Sequence, residues 1–165
     1  MDLLSTMLKN LRIAQRIVRE GNEVILAWCI GTPRTDWVIL TRLNHDQPGE
    51  QERILHLVGR FMVSTRAETY LLTGEAGLGP TALIRKGEES IVCAVVSGSD
   101  RFLMRQRIRR KPSLDFGGLE CVERKQLARA YWTLLDGPRE PVGADELKAL
   151  DAVFGFNGEF PAQWV

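Results

Sequence analysis

Apolar residues recur at helical spacing from the first residues of the chain. Leu3, Leu4, Met7, Leu8, Leu11, Ala14, Ile17 and Val18 fall on one side of a 3.6-residue period, with Arg12, Arg16 and Arg19 on the other. This predicts an amphipathic helix over 3–20, capped by Asp2 and ended by Gly21. The period then changes. "EVILAWCI" (23–30) and "WVILTRL" (37–43) are rich in strand formers and separated by the turn cluster "GTPRTD". They predict a hairpin. Pro48 suits the first turn of a second helix reaching about Ser64, with Ile54, Leu55, Val58, Phe61 and Met62 on its apolar stripe.

Three further strands are expected. "AETYLLTGE" (67–75) is the first. "SIVCAVV" (90–96) has no polar face, so it predicts a central strand covered on both sides. "RFLMRQRIRRK" (101–111) sets Phe102, Met104 and Ile108 against Leu103, Arg105, Arg107 and Arg109, a half-buried strand. "PSLDFGGLE" (112–120) reads as a loop. Val122, Leu127, Ala130, Tyr131, Leu134 and Leu135 predict a helix over 122–135, and a short helix follows over 145–154. The order predicts an α+β fold: a mostly antiparallel sheet of about five strands, packed with an N-terminal helix, a crossover helix and C-terminal helices. A single globular domain is expected over residues 1–165, with 155–165 as an aromatic C-terminal tail.

Composition narrows the class. The 44% hydrophobic and 26% charged residues fit a globular chain that buries a core, and a net charge of +1 offers no global attraction to nucleic acid or anionic membrane. Arg far outnumbers Lys, a skew that fits a GC-rich bacterial genome. Cys29, Cys93 and Cys121 are odd in number and lack a C-x-x-C, which points to reduced thiols. No targeting segment is recognisable at the N-terminus, and no apolar run approaches the roughly 18 residues of a membrane span. Cytoplasmic location and no membrane partner are therefore expected.

"TGEAGLGPTALI" (73–84) matches the frame G-x-x-x-x-G-K-[ST] at Gly74, Gly79 and Thr81, but Pro80 stands at the lysine position. That substitution removes both an ammonium and a backbone N–H. Gly74, Gly77, Gly79 and Thr81 thus make a candidate anion site in what reads as a strand connection. Arg105, Arg107, Arg109 and Lys111 project on one strand face at about 7 Å intervals and make a candidate polyanion-binding row, or a solvated face that discourages edge association. Phe156, Phe160 and Trp164 in the tail are candidate interface anchors, or they cover the core. The stripe Leu4, Met7, Leu8 and Leu11 has the same two uses. His45 and His56 have no metal-ligand spacing, and no nucleophile frame is present, so neither a metal, a cofactor nor a catalytic residue is assigned. Three functions remain. The first is a non-catalytic cytoplasmic protein that binds protein, including itself. The second is a nucleic-acid accessory protein using the arginine row. The third is a nucleotide or anion ligand site at the glycine-rich loop.

Overall fold

The computed structural model describes residues 1–41, 47–76, 89–136, 140 and 143–154. Helix α1 (Leu3–Arg19) starts where expected, because the Asp2 carboxylate accepts from the Ser5 backbone N–H at 3.2 Å. It ends where Gly21 takes φ +76°, a backbone angle that favours glycine. Met7, Leu11, Ala14 and Val18 are the residues of α1 that are buried.

Strands β1 (Leu26–Gly31) and β2 (Asp36–Thr41) form the expected hairpin, with Cys29 opposite Val38 and Trp28 opposite Ile39. Helix α2 (Glu50–Ser64) then carries the chain across β1 to β3 (Thr69–Ala76), which pairs with the other edge of β1. Strands β4 (Glu89–Ser97) and β5 (Asp100–Arg109) extend the sheet, with Ser97 opposite Asp100 at the tight turn. A sixth strand, β6 (Asp115–Val122), completes the order β2-β1-β3-β4-β5-β6, and every neighbouring pair is antiparallel. Helix α3 (Ala144–Phe154) reaches α2 through an ion pair of Arg60 with Glu146 at 2.8 Å.

Two expectations need correcting. The segment 112–120 is not all loop, since it supplies most of β6, and the sheet has six strands rather than about five. The alternation there is hidden by Gly117-Gly118 and by a register shift between Gln106 and Ile108. The helix expected over 122–135 is replaced by the end of β6 and two single 3₁₀ turns, Arg124–Gln126 and Arg129–Tyr131. Leu127 and Tyr131 are buried at helical spacing, and Trp132 is buried beside them, but Leu127 and Ala128 hold extended ψ angles of 138° and 141°. The Trp132 indole N–H is shared between the Arg124 and Leu127 carbonyls, and the Arg101 guanidinium donates to the Trp132 carbonyl. Tertiary anchoring outweighs the weak local preference for helix.

The sheet separates two cores. On one face, α2 and the 3₁₀ segment cover Trp28, Ile30, Ile39, Tyr70, Leu72, Ala94, Val96 and Leu103. On the other, α1 covers Cys29, Leu71, Ile91, Cys93, Val95 and Ile108. Strand β4 lies between them with residues 90–96 all buried, as its lack of a polar face predicts.

Candidate interaction surface

The two faces are covered unequally. With strands about 4.8 Å apart, the outer strands of a six-stranded sheet lie about 24 Å from each other, whereas a helix with its side chains is about 10 Å across. Helix α1 lies over β3 and β4. What it leaves open is apolar. On the β2 side, Val38 and Leu40 are 64% and 58% exposed. Val38 is opposite the buried Cys29, so both point to the α1 face. On the other side, Phe102 is opposite Val95 and Leu119 is opposite Gln106, and both are partly exposed.

Helix α1 adds apolar surface of its own. The stripe expected to act as one unit is divided: Met7 and Leu11 are buried, while Leu4 and Leu8 are exposed, as is Ile13. The Gln15 side chain bonds to Gln106 at 2.8 Å, and the Arg19 guanidinium lies 5.0 Å from the centre of the Phe116 ring. Leu4 and Leu8 share this β5–β6 flank of the helix, because residues four and seven apart fall on one side. Asn10 faces the opposite flank, where its amide meets Cys29 Sγ and Thr73 Oγ1, both at 3.2 Å.

The arginine row is on the α2 face, and β6 reaches it. Arg105 bonds to Glu120 at 2.8 Å, Arg107 lies 3.8 Å from the same carboxylate, and Arg109 bonds to Asp115 at 3.0 Å. Arg110 pairs with Glu89 and Arg101 with Asp136. The hydrogen bond from Arg105 holds the Glu120 carboxyl below its usual range, so the acid stays charged and offsets the row. Lys111, beyond the end of β5, is exposed and makes no ion pair among the described residues. Exposed pairs of this kind are worth about 0–1 kcal/mol each, so their larger effect is to lower the potential a polyanion would meet. The sequence places the arginines on one face, and the acid that Arg109 meets is Asp115, from the strand read as a loop.

Gly74 sits inside β3, opposite Val92, not at a strand end. A Cβ there would come 2.7 Å from Leu26 Cδ1, so the Leu26 side chain packs where a larger residue would reach. Gly77, Gly79 and Thr81 of the candidate anion site lie outside the described residues, as do His45 and the tail residues Phe156, Phe160 and Trp164. His56 is exposed on α2.

Cys29 and Cys93 are buried, and burial raises both thiols, Cys93 to about 12. Neither is a ready nucleophile. They stand on β1 and β4 with β3 between, about two strand spacings apart and beyond disulfide reach. Cys121 on β6 is exposed. No group of three or more His, Cys, Asp or Glu side chains suited to a metal ion occurs among the described residues. No helix among them is long and apolar enough to cross a membrane.

One carboxylate is strained by its surroundings. Glu75 on β3 accepts from the Val24 backbone N–H at 3.3 Å, and burial raises its affinity for a proton. The folded state therefore holds that proton at pH values where the unfolded chain has released it. Stability then falls as pH rises from the ordinary carboxylate range through the raised value. Glu75→Gln keeps an acceptor for Val24 without the charge. Thermal melts from about pH 4 to about pH 8 should show the wild type losing stability relative to this variant as pH rises. Parallel curves would remove Glu75 as the cause.

Comparison of the chain with protein-family models, with curated proteins and with solved structures found no match.

Proposed function

We propose that this protein is a non-catalytic cytoplasmic binding protein whose partners are proteins, beginning with a second copy of itself. The observation that carries the reading is the edge strand β2. Its residues 37–40 are Trp-Val-Ile-Leu, with Val38 and Leu40 turned to the open face. Edge strands are commonly guarded by charge, proline or a bulge. The other edge has such guards: β6 carries Asp115 and Glu120 and an irregular register against β5. Between Asp36 and Thr41, β2 carries none of these, and α3 comes up to it near Leu40 and Thr41.

An antiparallel pairing of β2 with β2 of a second copy satisfies both edges with one self-complementary contact. It also buries Val38 and Leu40 of each chain against the other. The Met1 ammonium lies 3.5 Å from the Asp36 carboxylate, so the charge at the head of β2 is already partnered within the chain.

Sedimentation velocity from about 1 to about 100 µM tests this, because a dimer grows with concentration by mass action. The wild type is expected to dimerise. Val38→Lys with Leu40→Lys is expected to stay monomeric with an unchanged melting temperature, since both positions are exposed. A wild type that is monomeric throughout would overturn the self-association reading.

A further inference from the structure

We infer that the open strip over β5 and β6, beside α1, is a docking site for an acidic amphipathic helix of a partner protein. The inference rests on the reading of this protein as a protein-binding one, but it uses a different surface from β2.

The shape comes from the sheet. Helix α1 stands on β3 and β4, leaving a step beside it whose floor is Phe102 and Leu119 and whose wall is Leu4 and Leu8. A helix packs on a sheet at about 10 Å, and a second helix needs about 8–10 Å beside the first. Beside the N-terminal half of α1 the remaining width of the sheet accommodates one, while toward the C-terminal half Gln15 and Arg19 already reach Gln106 and Phe116. Its occupant must be apolar toward Phe102, Leu119, Leu4 and Leu8 at once, which a ridge of residues at i, i+3, i+4 and i+7 supplies.

The charge comes from α1. Lys9, Arg12, Arg16 and Arg19 are spaced three and four residues apart, and α1 contains no acid between Leu3 and Arg19. Like charges at this spacing oppose each other along a helix. Lys9, Arg12 and Arg16 make no ion pair among the described residues, whereas the arginines of β5 are matched by Asp136, Glu120 and Asp115. A shallow groove of about 470 Å³ lies on the outer face of α1 itself, among Lys9, Arg12, Ile13 and Arg16, with Leu8 at its margin toward the step. Arg12, one turn on from Leu8, and Arg16 after it lie along the solvent side of the step, and acidic residues flanking an apolar ridge meet both needs. A second α1 does not, because it would bring the same cations together. A flat anionic lipid surface would meet the cations on the outer face of α1 without engaging Phe102 and Leu119 on the sheet.

The test uses the full chain carrying Val38→Lys and Leu40→Lys, so that loss of self-association and loss of docking are read separately. The probe is a fluorescent designed helix of leucine, alanine and glutamate, with a lysine-for-glutamate counterpart and phosphatidylserine vesicles as controls. Anisotropy at low salt should show saturable binding of the acidic peptide at micromolar concentration. Phe102→Ser with Leu119→Ser, and separately Arg12→Glu with Arg16→Glu, should each weaken it at least about tenfold while melting temperatures hold. Equal binding of the cationic peptide, binding of vesicles alone, loss of monomer state through the Phe102 strip, or acidic-peptide binding indifferent to both double variants would each overturn the inference.

Discussion

Trp28→Ala is expected to cost about 3–5 kcal/mol of folding stability, the largest effect of any single change proposed for this chain. Trp28 has no exposed surface, and its ring stacks on Tyr131 at 6.2 Å and meets Tyr70 at 6.3 Å. Its indole N–H donates to the buried Thr41 hydroxyl at 3.1 Å, so the variant strands a polar group as well as leaving a cavity. The same rings tie the sheet to the 3₁₀ segment, because the Tyr70 hydroxyl donates to the Tyr131 carbonyl. A domain of this size has about 5–15 kcal/mol to lose, so the variant should be near its limit at physiological temperature. Urea unfolding of wild type and variant measures it. A cost below about 1 kcal/mol would mean that Trp28 is not at the centre of the α2-side core.

The second large effect belongs to the other core. Leu11→Ala should cost about 2–4 kcal/mol, whereas Leu8→Ala, three residues earlier on the same helix, should stay within about 0.5 kcal/mol. Leu11 is 5% exposed against 43% for Leu8. Leu11 packs with Leu71, Cys93 and Val95 of the α1-side core, and Leu8 faces the step beside it. Comparable costs at the two positions would contradict the placement of α1 on the sheet, and with it the open strip.

That contrast also shows where the sequence ran out. Helical spacing placed Leu4, Met7, Leu8 and Leu11 on one stripe, which is correct, but the stripe is wider than a single contact with the sheet can bury. Which half remains open depends on where the helix crosses the sheet, a tertiary fact with no local signal. The strands from β1 to β5 were legible because their patterns are strong: apolar runs bounded by turn residues, and in β4 an unbroken apolar run that requires cover on both faces. Strand β6 was not, since Gly117-Gly118 and a register shift erase the alternation.

Missing β6 also hid the partners of the arginine row. Arg105, Arg107 and Arg109 read as an open cationic face only while Glu120 and Asp115 belong to a loop. Leu127 and Tyr131 misled in the opposite direction, because buried apolar residues four apart are equally consistent with a pair of tight turns anchored by side-chain hydrogen bonds. The glycine-rich frame at 73–84 gave a motif without its context: its first glycine lies within an antiparallel strand and is packed against Leu26.

The proposed self-association turns on one edge of the sheet, and backbone amide exchange at that edge reports on it directly. Hydrogen exchange followed by mass spectrometry is to be compared at protein concentrations well below and well above the association midpoint. Pairing through β2 predicts slower exchange in residues 36–41 at the higher concentration, with 115–122 on the opposite edge unchanged. Exchange at 36–41 that does not respond to concentration, or protection confined to 115–122, would contradict it.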